Sequence, residues 1–198
     1  GDVYKRQGLA RKLASTAPSQ FTQFARNPLK SVEIGGDKIV FAPVYGPPFI
    51  RGLDGERRYA EIDDFINMVK LVYMLPGLHH SGGTLCEPVD LPVTKRHLEM
   101  IYAHIRYSDK PFMGSVTAPS RAEDSVEMAR LVFGDEFIKN NCVLVSLINA
   151  NSPMTWDDTM LGALKVYARA GQACIVSPFI LAGAMSPVSV AGTLTQIL

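Results

Sequence analysis

Three short apolar runs punctuate the second half of the chain: Pro111–Thr117, Cys142–Asn149 and Ala173–Phe179. Within them Phe112, Val143 and Cys174 stand 31 residues apart. Each run is short and apolar, which predicts a strand, and the continuous run Cys142–Asn149 predicts one covered on both faces. The segments between them carry apolar residues at helical spacing. Alternation of this kind predicts strand–helix units around a parallel sheet.

The same pattern extends upstream. Ser31–Ile34, Gly35-Gly36-Asp37 and Lys38–Ala42 read as a β-hairpin, with the glycines supplying positive φ in the turn. Residues 43–55 form a Pro- and Gly-rich loop. Ile62, Phe65, Ile66, Val69 and Tyr73 define a first helical face, with Gly77 as its stop. Leu78–Leu85 is a strand candidate weakened by Gly82-Gly83. Leu98, Ile101, Tyr102 and Ile105 define a second helix, capped by Thr94. Ser120 and Glu123 suggest a capping box at the start of a third helix, with Val126, Ala129, Val132 and Phe133 buried. Thr155-Trp156-Asp157-Asp158 opens a fourth, with Leu161, Leu164 and Ala168 inward. Ser186-Pro187 opens a fifth, which carries Leu194 and Leu198.

The expected fold class is therefore α/β, with about five strand–helix units preceded by a β-hairpin. Two architectures fit, an open doubly wound sheet or part of a (β/α)8 TIM barrel. The open sheet usually carries a glycine-rich phosphate loop. Gly82-Gly83-Thr84 is too short for that fingerprint, and neither GxGxxG nor GxxxxGK[ST] occurs. The barrel is favoured, and at about 250 residues for a complete one this length matches its first five units. In domain terms, residues 1–7 read as a sequence artefact and are set aside. Residues 8–30 read as an N-terminal arm, and 31–198 as the N-terminal part of the barrel domain.

Composition narrows the class. Hydrophobic residues make up 47% and charged residues 20%, with a net charge of +1, so neither a nucleic-acid footprint nor a membrane span is expected. The three cysteines, Cys86, Cys142 and Cys174, are odd in number and far apart. With no apolar signal core at the start, this points to a reducing, cytoplasmic setting.

Candidate chemistry is read at the junctions where strands end and helices begin. These supply Thr84, Cys86, Glu87 and Asp90, then Ser115, Thr117 and Ser120, then Asn149, Asn151, Ser152 and Trp156, and last Ser177, Phe179 and Ser186. The set is polar, mostly uncharged and edged with aromatics, and suits a small polar or cationic ligand better than a phosphate. Glu87 stands out between Cys86 and Pro88, and rim capping by Glu87 or Asp90 is the simpler alternative. Asn149 and Asn151 could instead bond local backbone. Trp156 could face an alkylammonium through its ring or serve helix–loop packing. His79-His80 are adjacent, and His97 and His104 lie seven apart without a third ligand, so no metal site is expected. Cys86 has nothing local to lower its pKa.

At these strand ends the sequence resembles the trimethylamine methyltransferase family. The stretches that carry the likeness are Phe41–Gly46, His79–Asp90, Asn149–Met154 and Pro178–Pro187. The resemblance implies a longer (β/α)8 barrel, of which this chain would be an internal fragment, inactive and prone to aggregate alone. It implies a cytoplasmic, corrinoid-dependent enzyme of a methanogenesis-related family. That enzyme moves a methyl group from trimethylamine, or from a quaternary amine such as glycine betaine, to the cobalt of a corrinoid (cobalamin) carried on a partner protein. The likeness is to the bacterial branch without pyrrolysine, and a homo-oligomer is left open. On this reading Glu87 complements an ammonium, Tyr45, Trp156 and Phe179 supply cage walls, and Thr117, Asn149 and Asn151 orient a carboxylate or hydroxyl. These roles come from predicted position. The alternative is a barrel enzyme of another class, a lyase or hydrolase using Cys86 or Glu87.

Overall fold

In the computed structural model, two of the three apolar runs pair closely along their length and the third joins them briefly. The structure describes residues 2–151 and 155–197, with side chains from residue 8 onward. Strand β5 (Phe112–Met113) lies parallel to β6 (Leu144–Asn151), which lies parallel to β7 (Ala173–Phe179). The register sets Met113, Val145 and Ala173 in one row across the sheet. The architecture is thus α/β, and the sheet does not close among the described residues.

Two helices bury one side of the sheet. Helix α4 (Pro119–Phe133) and helix α6 (Asp158–Arg169) cover β5 and β6, with the short α5 (Asp135–Asn140) between them in sequence. Leu144 and Ile148 of β6 meet Val126 and Ala129 of α4 and Ala163 and Tyr167 of α6 in one buried cluster. A second cluster joins α2 (Ile62–Met74) to α3 (Arg96–Tyr107), with Phe65, Val69, Met100 and Ala103 closing over Leu85 and Cys86. Burial of this many apolar side chains is the main term holding each cluster together.

The N-terminal part departs from expectation. Helix α1 (Asp2–Ala14) leads into β1 (Gln20–Gln23), which pairs antiparallel with β2 (Val32–Gly35), so the hairpin expected over 31–42 does not form. Segment 38–42 turns away because the Phe41 carbonyl takes the N–H groups of His79 and His80 at 3.0 and 3.1 Å. The end of the expected arm is also tied down. Gln23 is fully buried, and its Nε2 donates to the carbonyls of Phe112 (3.0 Å) and Val143 (3.2 Å). Inside the expected loop 43–55, β3 (Phe49–Arg51) pairs with β4 (Arg57–Tyr59).

Local start signals were partly misread. Helix α4 opens at Pro119 behind Ala118, because proline at the first position needs no N–H partner; Ser120 lies inside the first turn and is not the cap. Helix α3 begins behind Lys95 rather than Thr94. Its buried face is His97, Met100, Ile101, Ala103 and His104, while Tyr102 is exposed. On α6 the buried residues are Ala163 and Tyr167, and Ala168 is exposed. The true cap there is Asp157, whose carboxylate accepts from Met160 N at 2.7 Å. Helix α7 (Val190–Ile197) starts beyond Pro187. Leu198 lies outside the described residues, as do Ser152, Pro153 and Met154.

Candidate functional site

Residues 78–85, expected as a strand, form a loop that still runs beside β5. Ser81 N donates to Pro111 O and Met113 N donates to Gly82 O, both at 2.8 Å. Gly82 breaks the extended run with φ +85°, a value only glycine adopts freely, which is why no ladder continues.

Two buried histidines hold this loop. His80 Nδ1 accepts from Gly82 N at 2.8 Å, and Nε2 donates to Gln23 Oε1 at 3.1 Å. His104 Nε2 donates to Gly83 O at 2.7 Å, and Nδ1 accepts the Ser81 hydroxyl at 2.8 Å. The network assigns one neutral tautomer to each ring. Burial pushes the pKa of His80 down to about 3 and that of His104 down to about 4. These rings are framework for the loop.

A cavity of about 520 Å³, including the space at its mouth, opens where this loop, the end of β5 and helices α3 and α4 meet. Its apolar wall is Val93, Met100, Ile101 and Met113, and its polar wall carries Thr84, Glu87, Arg96, Ser115, Thr117 and Arg121. Glu87 is fixed through its N–H to Pro47 O at 3.0 Å, and its carboxylate accepts from Arg96 at 3.3 Å. His97, also in the wall, is buried and holds Asp124 of α4 at 2.7 Å. Thr117 lies exposed at the rim and accepts from Arg121 at 2.6 Å. Beneath the cavity floor the Tyr167 hydroxyl donates to Ser115 O at 2.5 Å and packs against Gly114, where a side chain would collide with it.

Of the residues expected at a site, Thr84, Glu87, Ser115 and Thr117 line this cavity. Tyr45 adjoins it: its ring edge would lie 2.7 Å from a Cβ placed on Gly83. Burial raises the Tyr45 pKa, so the phenol stays neutral. Asn149, Asn151 and Phe179 stand elsewhere, at the ends of β6 and β7, where Asn149 is opposite Ser177 and Asn151 opposite Phe179. Asn151 exchanges backbone bonds with Thr155 at 2.7 and 2.8 Å. Trp156 packs against the cluster around β6 and α6.

The family model for trimethylamine methyltransferase (MTTB) matches residues 1–198. The chain belongs to the trimethylamine methyltransferase family. It is 50% identical over 194 residues to a protein named glycine betaine methyltransferase from Desulfitobacterium hafniense (strain Y51). The alignment covers 98% of this chain and 40% of that relative, so the chain spans less than half of the relative's length.

For this member of the trimethylamine methyltransferase family, a thiol-based site fits poorly. Cys86 is fully buried, and burial first, then the nearby Asp64 and Glu87 carboxylates, push its pKa up to about 11. Among the described residues no three His, Cys, Asp or Glu side chains converge as metal ligands. No described helix is long and apolar enough to cross a membrane. Sequence reasoning missed Arg96 and Arg121, and weighed His97 only as a metal ligand, because it sought chemistry at strand ends, whereas these side chains come from the first turns of α3 and α4. The neighbouring pair Arg96-His97 within an otherwise apolar helical stripe was the available signal, since a buried face rarely admits charge without a partner.

Proposed function

We propose that this chain forms the N-terminal part of a (β/α)8 methyltransferase domain. On this reading the enzyme moves a methyl group from a methylated amine, trimethylamine or a quaternary amine such as glycine betaine, to the cobalt of a corrinoid on a partner protein. The 50% identity to glycine betaine methyltransferase carries this reading. The cavity supports it, since it lies at the end of the parallel strand β5 and joins an apolar wall to one carboxylate, Glu87.

The corrinoid would supply a strongly nucleophilic cobalt, and being carried by the partner it needs no metal ligand from this chain. The residues described here have a narrower task. Glu87 offers negative charge to the ammonium, and the Arg96 contact holds that carboxylate in place. Met100, Ile101 and Met113 exclude water around the methyl groups, and Tyr45 adds an aromatic wall. Orientation in a dry site is most of what such a transfer asks of a protein. The exposed rim at Thr117 leaves a mouth through which the partner's cobalt would approach.

The full-length protein of which this chain is a part, mixed with a reduced corrinoid protein and either amine, should methylate the cobalt, followed by its visible spectrum. No spectral change with any methylated ammonium donor would refute the reading.

A further inference from the structure

The hairpin of β3 and β4 has two unlike faces. On one, Ile50 packs against the α2–α3 cluster, and opposite it Arg58 holds the Asp64 carboxylate of α2 through two bonds of 2.7 and 2.8 Å. The other face carries Phe49 opposite Tyr59 and Arg51 opposite Arg57. Tyr59 is 56% exposed, both arginines are exposed, and Leu53 stands fully exposed at the tip. The Phe49 and Tyr59 rings pair with centroids 4.5 Å apart, and the Arg57 guanidinium lies 3.7 Å over the Phe49 ring. Stacking of that kind leaves the in-plane N–H groups open to an acceptor.

Among the described residues neither Arg51 nor Arg57 forms an ion pair, in contrast to Arg58. The nearby Asp54 carboxylate instead takes the Glu56 N–H at 3.0 Å. Like charges set directly opposite each other destabilise a strand pair, and a two-stranded hairpin is marginal to begin with. The fold gains nothing from this pair of cations, whereas an acidic surface laid on them would.

The patch is fixed beside the cavity. At the hairpin base Pro47 O accepts from Glu87 N at 3.0 Å, and Ala60 O accepts from Val89 N at 2.9 Å. Glu87 lines the cavity itself.

Resting on the methyl-transfer reading above, we propose that this face of the hairpin docks the corrinoid-carrying partner through an acidic surface on that partner. Arg51 and Arg57 take its carboxylates, and the Phe49–Tyr59 pair is the apolar anchor. Aromatic and arginine side chains are the ones protein interfaces concentrate. A partner seated there is held next to the cavity that binds the amine.

The test uses the full-length protein of which this chain is a part and the corrinoid protein that accepts its methyl group. Binding of that partner, with and without its corrinoid, is followed by biolayer interferometry at rising salt. Affinity should fall steeply with salt. Arg51→Gln/Arg57→Gln should weaken binding by about tenfold, chiefly through a slower on-rate, and flatten the salt dependence. Arg51→Lys/Arg57→Lys keeps the charge and should recover part of the loss. Methyl transfer to free cob(I)alamin, which needs no docked protein, should be unchanged, and thermal melts should show no loss of stability because two facing charges are removed. A folded Gln variant that binds the partner as tightly as the unaltered protein would overturn the docking surface and leave the methyl-transfer reading standing. An equal loss of transfer to free cob(I)alamin would place the effect in the cavity and overturn it too. So would a change in sedimentation of the protein alone, which would make the patch a contact between copies. No methyl transfer to either acceptor by the unaltered protein would overturn that reading, and the assignment of this partner with it.

Discussion

His104 accepts the hydroxyl hydrogen of Ser81 at 2.8 Å, fixing the loop that carries Glu87 to the buried face of α3. The ring can do this only while neutral, since its other nitrogen already donates to Gly83 O. Both His104 and His80 have folded-state pKa values, about 4 and about 3, below their ordinary 6.5. The unfolded chain therefore binds protons more readily across that interval. The stabilising contribution is complete above pH 6.5 and is lost as pH falls toward 4, on the order of a few kcal/mol. Thermal melts from pH 7.5 to 4 should show Tm falling below pH 6.5, before most carboxylates titrate. A flat profile to pH 4.5 would contradict this.

Glu87→Gln keeps size and removes charge. It should weaken binding of a quaternary ammonium by about tenfold while changing stability by about 1 kcal/mol or less, because the Arg96 contact is long and partly solvated. Titration with tetramethylammonium, alongside a denaturant curve, reads both numbers.

Lys110 is buried, and its ammonium donates to the carbonyls of Val72 (2.8 Å), Leu75 (3.0 Å) and Leu78 (2.7 Å). A cation thus closes the C-terminal end of α2, where orphan carbonyls and the helix dipole both favour it. Lys110→Met retains the stem and strands those carbonyls, at a cost of about 2–4 kcal/mol by urea unfolding. Lys110→Arg should recover part of the loss.

Gly114→Ala should cost about 1–3 kcal/mol, since the new methyl group meets the Tyr167 ring and hydroxyl. Tyr167→Phe alone loses the bond to Ser115 O, about 1 kcal/mol. The double variant should be less destabilised than the sum of the two, because removing the hydroxyl relieves the closest contact. A double-mutant cycle measures that coupling.

Strand β6 was legible because burial on both faces writes a continuous apolar run; Ala173–Phe179 was read with the bounds it has, although its residues are half-buried or exposed. Helix α2 was equally plain, since Phe65 and Val69 face one way and Val72 completes the buried stripe. Segment 78–85 misled because its residues have a strand's composition while Gly82 takes a left-handed φ and His80 bends back to bond its amide. The helix face with His97 and His104 was hidden for a related reason. Imidazoles score as polar, yet each ring here has a dedicated partner that makes burial affordable in free energy. Part of the site was visible: Glu87 and Thr117, read at junctions between strands and helices, share the cavity, and Tyr45, read as a cage wall, adjoins it. The guanidinium groups were missed because no local pattern says which helix turn will overhang a strand end.

Gln23 bonds to carbonyls 89 and 120 residues further along the chain. Closing loops of that length is slow compared with forming the helices between them. During synthesis, segment 20–23 must wait, unpaired on that side, until Val143 has left the ribosome. The base of the sheet is thus assembled late, and until Val143 emerges Gln23 lacks its contact to that residue. Arrest peptides placed at increasing distances beyond Val143 would register the docking as a step in pulling force.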